Sequence, residues 1–340
     1  MAGLMSSKQE SPNSKQINAK IEQMAALRLN AFLAGLLEYS KNEMQSWNPD
    51  ARIIWQQGTT KIYDYGGQGR RILVISPLIN KANILDIADD ISFVRNLRAL
   101  GYAPLLVSWG EPAQDEKDFD SAKYVERLEG FLATQENCQE FVYAGYCMGG
   151  LLALKLAAKM PPAALILLAT PWNFDAPDLK KIRVKAENMA ASIAQYEFVP
   201  PEFIQTLFYY IDPWRVCNKY SRLNEMDDAT KARFIHIENW ANDGVAMAKP
   251  MAQECLVDWL VNNQTGKGKW LDAAGIKCPT FIACPLTDKI VPIGCSIPLA
   301  GVIPQADLQK FECGHIGLVT KDLLYKPLAE WLAAKLDNDK

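Results

Sequence analysis

A doubly wound, mostly parallel α/β sheet with a helical cap insertion is the fold that this 340-residue sequence predicts, and three observations point to it. Short, uniformly apolar runs alternate with helical patterns, the rhythm of a sheet whose strands are buried on both faces. One stretch without strand-like runs, residues 175–269, interrupts that rhythm late in the chain. The third observation is a motif: Gly145-Tyr146-Cys147-Met148-Gly149 spells G-x-C-x-G between the apolar run Phe141-Val142-Tyr143-Ala144 and the helix-forming stretch Leu151-Leu152-Ala153-Leu154-Lys155, where a strand must turn sharply into a helix.

Residues 1–15, rich in Ser, Lys, Gln and Asn, bury too little apolar surface to fold and read as a disordered leader. Over residues 16–48, Ile21, Met24, Ala25, Leu29, Phe32, Leu33, Leu36 and Leu37 recur at three- and four-residue steps, as in an amphipathic helix or helix pair. That stripe must pack on something, either the domain's own surface or a partner. Residues 49–174 and 270–340 form the alternating body, with strands expected at 72–76, 103–107, 141–144, 164–169, 280–283 and 308–311. Helices are expected between them at 90–100, 121–133, 149–159 and 293–300. The interval 175–269 is expected to form a helical cap over the sharp turn. Its aromatics Tyr209, Tyr210, Trp214, Trp240 and Trp259 would be either plain core or the lining of a substrate entrance.

With 49% apolar and 22% charged residues the chain is an ordinary globular one, and a net charge of −3 with dispersed Lys and Arg argues against a nucleic-acid surface. Eight cysteines without a C-x-x-C pair and only two histidines assemble no zinc pattern, so no metal or other cofactor is expected. The longest apolar run, 163–169, is far too short to cross a bilayer, and no cleavable apolar segment follows the polar start. A cytoplasmic protein with reduced thiols is the expectation.

The glycines of G-x-C-x-G suit a strained turn that lifts only its central residue above the sheet, and Cys147 would stand at a helix N-terminus, a place that suits a nucleophilic thiolate. A thiol nucleophile needs a base, and the base an orienting carboxylate. His236 lies in the cap on a mixed apolar pattern and reads as structural or surface. His315, in a glycine-flanked loop after the last strand, is the candidate base, and Asp288, after the preceding strand, the candidate carboxylate. The order Cys147, Asp288, His315 is the nucleophile–acid–base order of the α/β-hydrolase fold. For the oxyanion, donors are expected from the backbone N–H of Met148 and that of Ile79, since Pro77 has none to give.

The stretch Pro77-Leu78-Ile79-Asn80-Lys81-Ala82-Asn83-Ile84-Leu85-Asp86, continued by Ser92-Phe93-Val94-Arg95 and Val107-Ser108-Trp109, resembles the polyhydroxyalkanoate synthase family's run from P-x-I-N-K through I-L-D and S-F-V-R to I-S-W. Gly145–Gly150, Asp288–Pro292 and Gly314-His315-Ile316 extend the likeness over most of residues 70–320. The resemblance implies an acyltransferase that moves hydroxyacyl groups, typically 3-hydroxybutyryl, from coenzyme A into polyester such as poly-beta-hydroxybutyrate. Cys147 would carry the chain as a thioester, His315 would activate it, and Asp288 would orient His315 and help activate the incoming hydroxyl. It further implies a short form without the long synthases' N-terminal domain, working with a second synthase subunit or as a homodimer, with granule-surface association as a further partner. Two departures are visible: Lys289 stands where the family usually has His, and W-N-x-D appears only loosely in Asn239–Gly244. A hydroxyacyl thioesterase or depolymerase with the same triad, and a non-catalytic granule-associated protein, are the alternative readings.

Overall fold

Eight strands form the largest sheet of the computed structural model, which describes residues 12–43 and 47–336. They are β1 (Arg52–Gln57), β2 (Thr60–Asp64), β3 (Arg71–Ile75), β4 (Ala103–Ser108), β5 (Val142–Tyr146), β6 (Ala164–Leu168), β7 (Thr280–Pro285) and β8 (Ala306–Phe311). Their spatial order is β1-β2-β4-β3-β5-β6-β7-β8. β2 runs antiparallel to both β1 and β4, and every other neighbouring pair is parallel. Each of the six expected strands is present, because β5, β6 and β7 are buried along their whole length and so read as unbroken apolar runs. The hairpin of β1 and β2 was not foreseen: β1 lies at the sheet edge, reads Arg-Ile-Ile-Trp-Gln-Gln and is exposed at both ends, so no apolar run marks it.

The helices are α1 (Pro12–Ser40), α2 (Phe93–Ala99), α3 (Ser121–Ala133), α4 (Met148–Lys159), α5 (Lys180–Ile193), α6 (Pro201–Ile211), α7 (Arg215–Tyr220), α8 (Asp228–Asn242), α9 (Lys249–Gln253), α10 (Ile293–Ala300), α11 (Gly317–Thr320) and α12 (Tyr325–Leu336). α9 runs on into a π-helix over Glu254–Val261. Alternate residues of the strands feed two cores. Leu73, Ile75, Leu105, Val107 and Tyr143 pack with α3 and α4. Ile72, Val74, Leu106, Val142 and Ala144 pack with α2 and α12. Covering both faces in this way is what makes the sheet doubly wound.

The described residues divide into two compact units, 12–43 with 213–235 and 47–212 with 236–336. This corrects the expected boundaries of both the N-terminal segment and the cap. α1 starts at Pro12, inside the expected leader, since a proline at a helix start lacks only an N–H that would have no partner there. Residues 1–11 of that leader lie outside the described residues. α1 also stops at Ser40, short of residue 48. The stretch 213–235 joins α1 rather than the rest of 175–269, because Phe32 and Tyr39 meet Tyr220 edge-on at 6.3 and 5.3 Å and Glu38 pairs with Lys231 at 3.5 Å. Apart from Phe32, the apolar residues singled out along α1 remain exposed, Leu37 at 66% and Ile21 at 58% among them. The rest of 175–269 is built of helices joined by turns, with a two-residue ladder between Phe198–Val199 and Met247–Ala248 and a single bridge from Gly244 to Asn80.

Candidate active site

β5 ends at Tyr146 and α4 starts at Met148, so Cys147 alone makes the turn, at φ 53° and ψ −124°. A cysteine pays for this left-handed backbone with strain, and such strain persists only where the surroundings fix it. The Cys147 N–H donates to the Leu168 carbonyl at 2.8 Å, and its own carbonyl accepts from Gly150 N–H at 3.0 Å. The flanking glycines are needed for space. A Cβ on Gly145 would stand 2.5 Å from the Gly149 oxygen, and one on Gly149 would run into the Ile75 carbonyl.

Asp288 and His315 are brought together by the parallel pair β7 and β8. Their pairing continues past the strand ends, with Leu286 N–H donating to Phe311 O at 2.8 Å and Thr287 N–H to Cys313 O at 3.0 Å. The two following loops therefore travel side by side. His315 Nδ1 meets Asp288 Oδ2 at 2.7 Å, while Asp288 Oδ1 accepts the Ile290 and Val291 amides at 2.8 and 2.9 Å. Both carboxylate oxygens are thus held, the imidazole has Nε2 left over, and the Cys147 side chain is close enough to influence its titration. The Tyr146 ring lies 5.1 Å from the imidazole, with its hydroxyl donating to the His315 carbonyl at 3.3 Å. Burial by itself would lower the His315 pKa, but the Asp288 carboxylate and negative charge on Cys147 outweigh it and raise the pKa to about 10.

Cys147 opens into a cavity of about 100 Å³, well below the roughly 300–1,000 Å³ of drug-sized pockets. Ile79 and Met148, the residues expected to supply the oxyanion donors, line the same cavity as Cys147. Cys255 and Cys295 also line it, and burial, the largest cause in both, pushes each thiol up to about 12. Both stay protonated at neutral pH. His236 is half-buried on α8 and is not among the cavity's lining residues. Of the five aromatics, Trp259 lines the cavity and Trp240 is buried, while Tyr209, Tyr210 and Trp214 are exposed and are not among the residues that line it. Among the described residues no cluster of three or more His, Cys, Asp or Glu could hold a metal ion, and no helix is long and apolar enough to cross a membrane.

The remaining motif residues brace this site. Asp86 accepts from Tyr65 Oη at 2.6 Å and Arg95 Nε at 2.8 Å, and Ser92 caps α2 by accepting from Arg95 N–H at 3.1 Å. Trp109 Nε1 donates to Ser76 O at 2.9 Å, at the root of the loop that carries Ile79. The loosely matched stretch around Trp240 docks on the same loop. Trp240 Nε1 donates to Lys81 O at 2.9 Å, Val245 N–H to Ile79 O at 3.0 Å, and Lys81 pairs with Asp243 at 2.7 Å. Sequence reasoning missed that the two stretches meet, since they lie more than 150 positions apart. Lys289 turns outward to Asp212 at 2.7 Å.

A sequence profile of the alpha/beta hydrolase fold matches residues 82–322. Among curated relatives, the poly(3-hydroxyalkanoate) polymerase subunit PhaC of Haloferax mediterranei is 28% identical over 297 residues, 78% of this chain and 59% of that protein. The subunit of the same name from Allochromatium vinosum is 25% identical, covering 77% of this chain and 80% of its own length. These relatives bear out the resemblance carried by the motifs. Among solved structures, a thermophilic esterase from Thermogutta terrifontis superposes with a TM-score of 0.52 at 18% identity, over 85% of this chain and 99% of that one. A likeness that remote speaks for the fold alone.

Proposed function

Since the chain belongs to the alpha/beta hydrolase fold family, with polyhydroxyalkanoate polymerase subunits as its relatives, we propose that it is a cysteine-dependent acyltransferase. On this reading it moves 3-hydroxyacyl groups from coenzyme A to a growing polyester. The observation that supports the reading is a thiol on a strained strand-to-helix turn beside an imidazole that a buried carboxylate holds at 2.7 Å.

The Cys147 sulfur attacks the thioester carbonyl of the acyl-CoA. Its proton already rests on His315 Nε2, since a pKa of about 10 keeps the imidazole protonated at neutral pH; the C–S bond to coenzyme A breaks, and His315 gives that proton to the departing sulfur. The backbone N–H groups of Met148 and Ile79 stabilise the oxyanion. The hydroxyl oxygen of a further hydroxyacyl group then attacks the Cys147 thioester. The ester bond forms as the C–S bond breaks, and the hydroxyl proton travels through His315 to the Cys147 sulfur. Asp288 holds the ring in place through both steps. A second synthase subunit, a second copy or a polyester granule surface belongs to the same proposal, and the apolar side chains left exposed along α1 favour such contact.

Intact-mass measurement of the protein incubated with 3-hydroxybutyryl-CoA tests the proposal. A stepwise ladder of hydroxybutyryl additions on Cys147 is expected. One transient addition with free acid released would replace the transferase by a hydrolase, and no addition at all would end the acyl-transfer reading.

A further inference from the structure

Ile79 sits on a loop that is gripped from two sides. At the sheet, Trp109 Nε1 donates to Ser76 O at 2.9 Å. On the far side, a stretch 160 positions along the chain closes over the loop, with Asn80 Nδ2 donating to Trp240 O at 3.2 Å and the Trp240 indole donating back to Lys81 O at 2.9 Å. The Ile79 carbonyl accepts from Val245 N–H at 3.0 Å, and Asn80 faces Gly244 in an antiparallel bridge. Lys81 and Asp243, paired at 2.7 Å, complete the clasp.

The clasp has firm backing. Gln205 Nε2 on α6 donates to Ala241 O at 3.4 Å, and Gly244 lies so close to the start of α6 that a Cβ there would stand 2.5 Å from Pro201 Cβ. Trp240 itself is buried. Amid these contacts the Ile79 carbonyl is held, whereas the Ile79 N–H donates to no acceptor among the described residues. An unused donor on a residue that lines the Cys147 cavity is what a developing oxyanion needs, and its worth depends on its being fixed in place beforehand.

Resting on the acyltransferase reading, we infer that Trp240 and Asp243 are positioning residues for acyl transfer: by clasping Asn80 and Lys81 they fix the Ile79 peptide so that its N–H meets the oxyanion formed at Cys147. Neither residue touches the reacting atoms. Loosening the clasp therefore weakens the transition state and leaves the sulfur itself as reactive as before.

The test compares two reactions of Cys147 in the wild type, Trp240→Phe and Asp243→Asn, each read by intact mass. Acylation by 3-hydroxybutyryl-CoA passes through an oxyanion. Alkylation by iodoacetamide does not, since the S–C bond forms at a saturated carbon as the C–I bond breaks and iodide leaves. In Trp240→Phe the acylation rate at saturating thioester is expected to fall about tenfold, part of the roughly 10²–10³ that loss of a whole donor costs, with the half-saturating concentration little changed and alkylation within about twofold of the wild type. Asp243→Asn should show the same split at about threefold, as suits a partly exposed ion pair. Wild-type acylation rates in the variants overturn the inference, and so do acylation and alkylation that fall together, as a general loosening would make them; both outcomes leave the acyltransferase reading intact. Should melting curves show that Trp240→Phe does not fold, Asp243→Asn decides. If the wild-type sulfur is alkylated but never acylated, the acyltransferase reading fails and this inference with it.

Discussion

His315 holds its proton up to about pH 10 because a carboxylate and a sulfur charge flank it in a buried place. An imidazole in the unfolded chain gives up its proton near pH 6.5. The native state therefore binds more protons than the unfolded state between those two values, so this group's stabilising contribution is complete below about 6.5 and fades as pH rises towards 10. The midpoint of urea unfolding should accordingly fall between pH 7 and pH 10 more steeply in the wild type than in His315→Gln. Asp288→Asn should lower the rate of Cys147 acylation by roughly 10³-fold or more, the scale of the corresponding change in Ser-His-Asp enzymes, because an amide at that place favours the wrong imidazole tautomer. Stopped-flow thioester consumption would measure it. Cys147, Asp288 and His315 were all legible as candidates, since each follows an apolar strand in the right order along the chain. Trp259 was not singled out from the other aromatics, because nothing in a sequence says which indole lines the cavity.

The turn between β5 and α4 depends on glycine for space rather than flexibility. Gly149→Ala sets a methyl group against the Ile75 carbonyl, and it is expected to lower the melting temperature by roughly 5–10 °C. Differential scanning calorimetry would check this. The buried trio of Asp86, Tyr65 and Arg95 makes a second element-level prediction. Asp86→Asn should cost about 2–3 kcal/mol in chemical denaturation, since Arg95 and the Tyr65 hydroxyl both lose a charged acceptor. Strands buried on both faces could be read because burial demands unbroken apolar runs. The β1–β2 hairpin could not, because an edge strand needs none. What the motif letters did not reveal is that I-L-D and S-F-V-R serve one another across a short hairpin and hold a loop in place instead of performing chemistry.

The chain's two units differ in how their backbones are protected. β3, β5 and β6 lie between two covered faces, whereas much of α1 is exposed along its length. Hydrogen exchange followed by mass spectrometry should show α1 amides exchanging well ahead of those three strands at neutral pH. The two-unit division was hidden in the sequence because 213–235 reads as one more helical stretch, and only its contacts with Phe32, Tyr39 and Glu38 assign it to α1. The cavity at Cys147 has a consequence for time as well as for space. Water gains little in a hollow walled by hydrocarbon, so an acyl group parked on the sulfur would face a slow clock of hydrolysis. Its fate would then be a race in which a hydroxyl arriving on its own acyl chain has the head start, and chain length would record how many such races are won before water wins one.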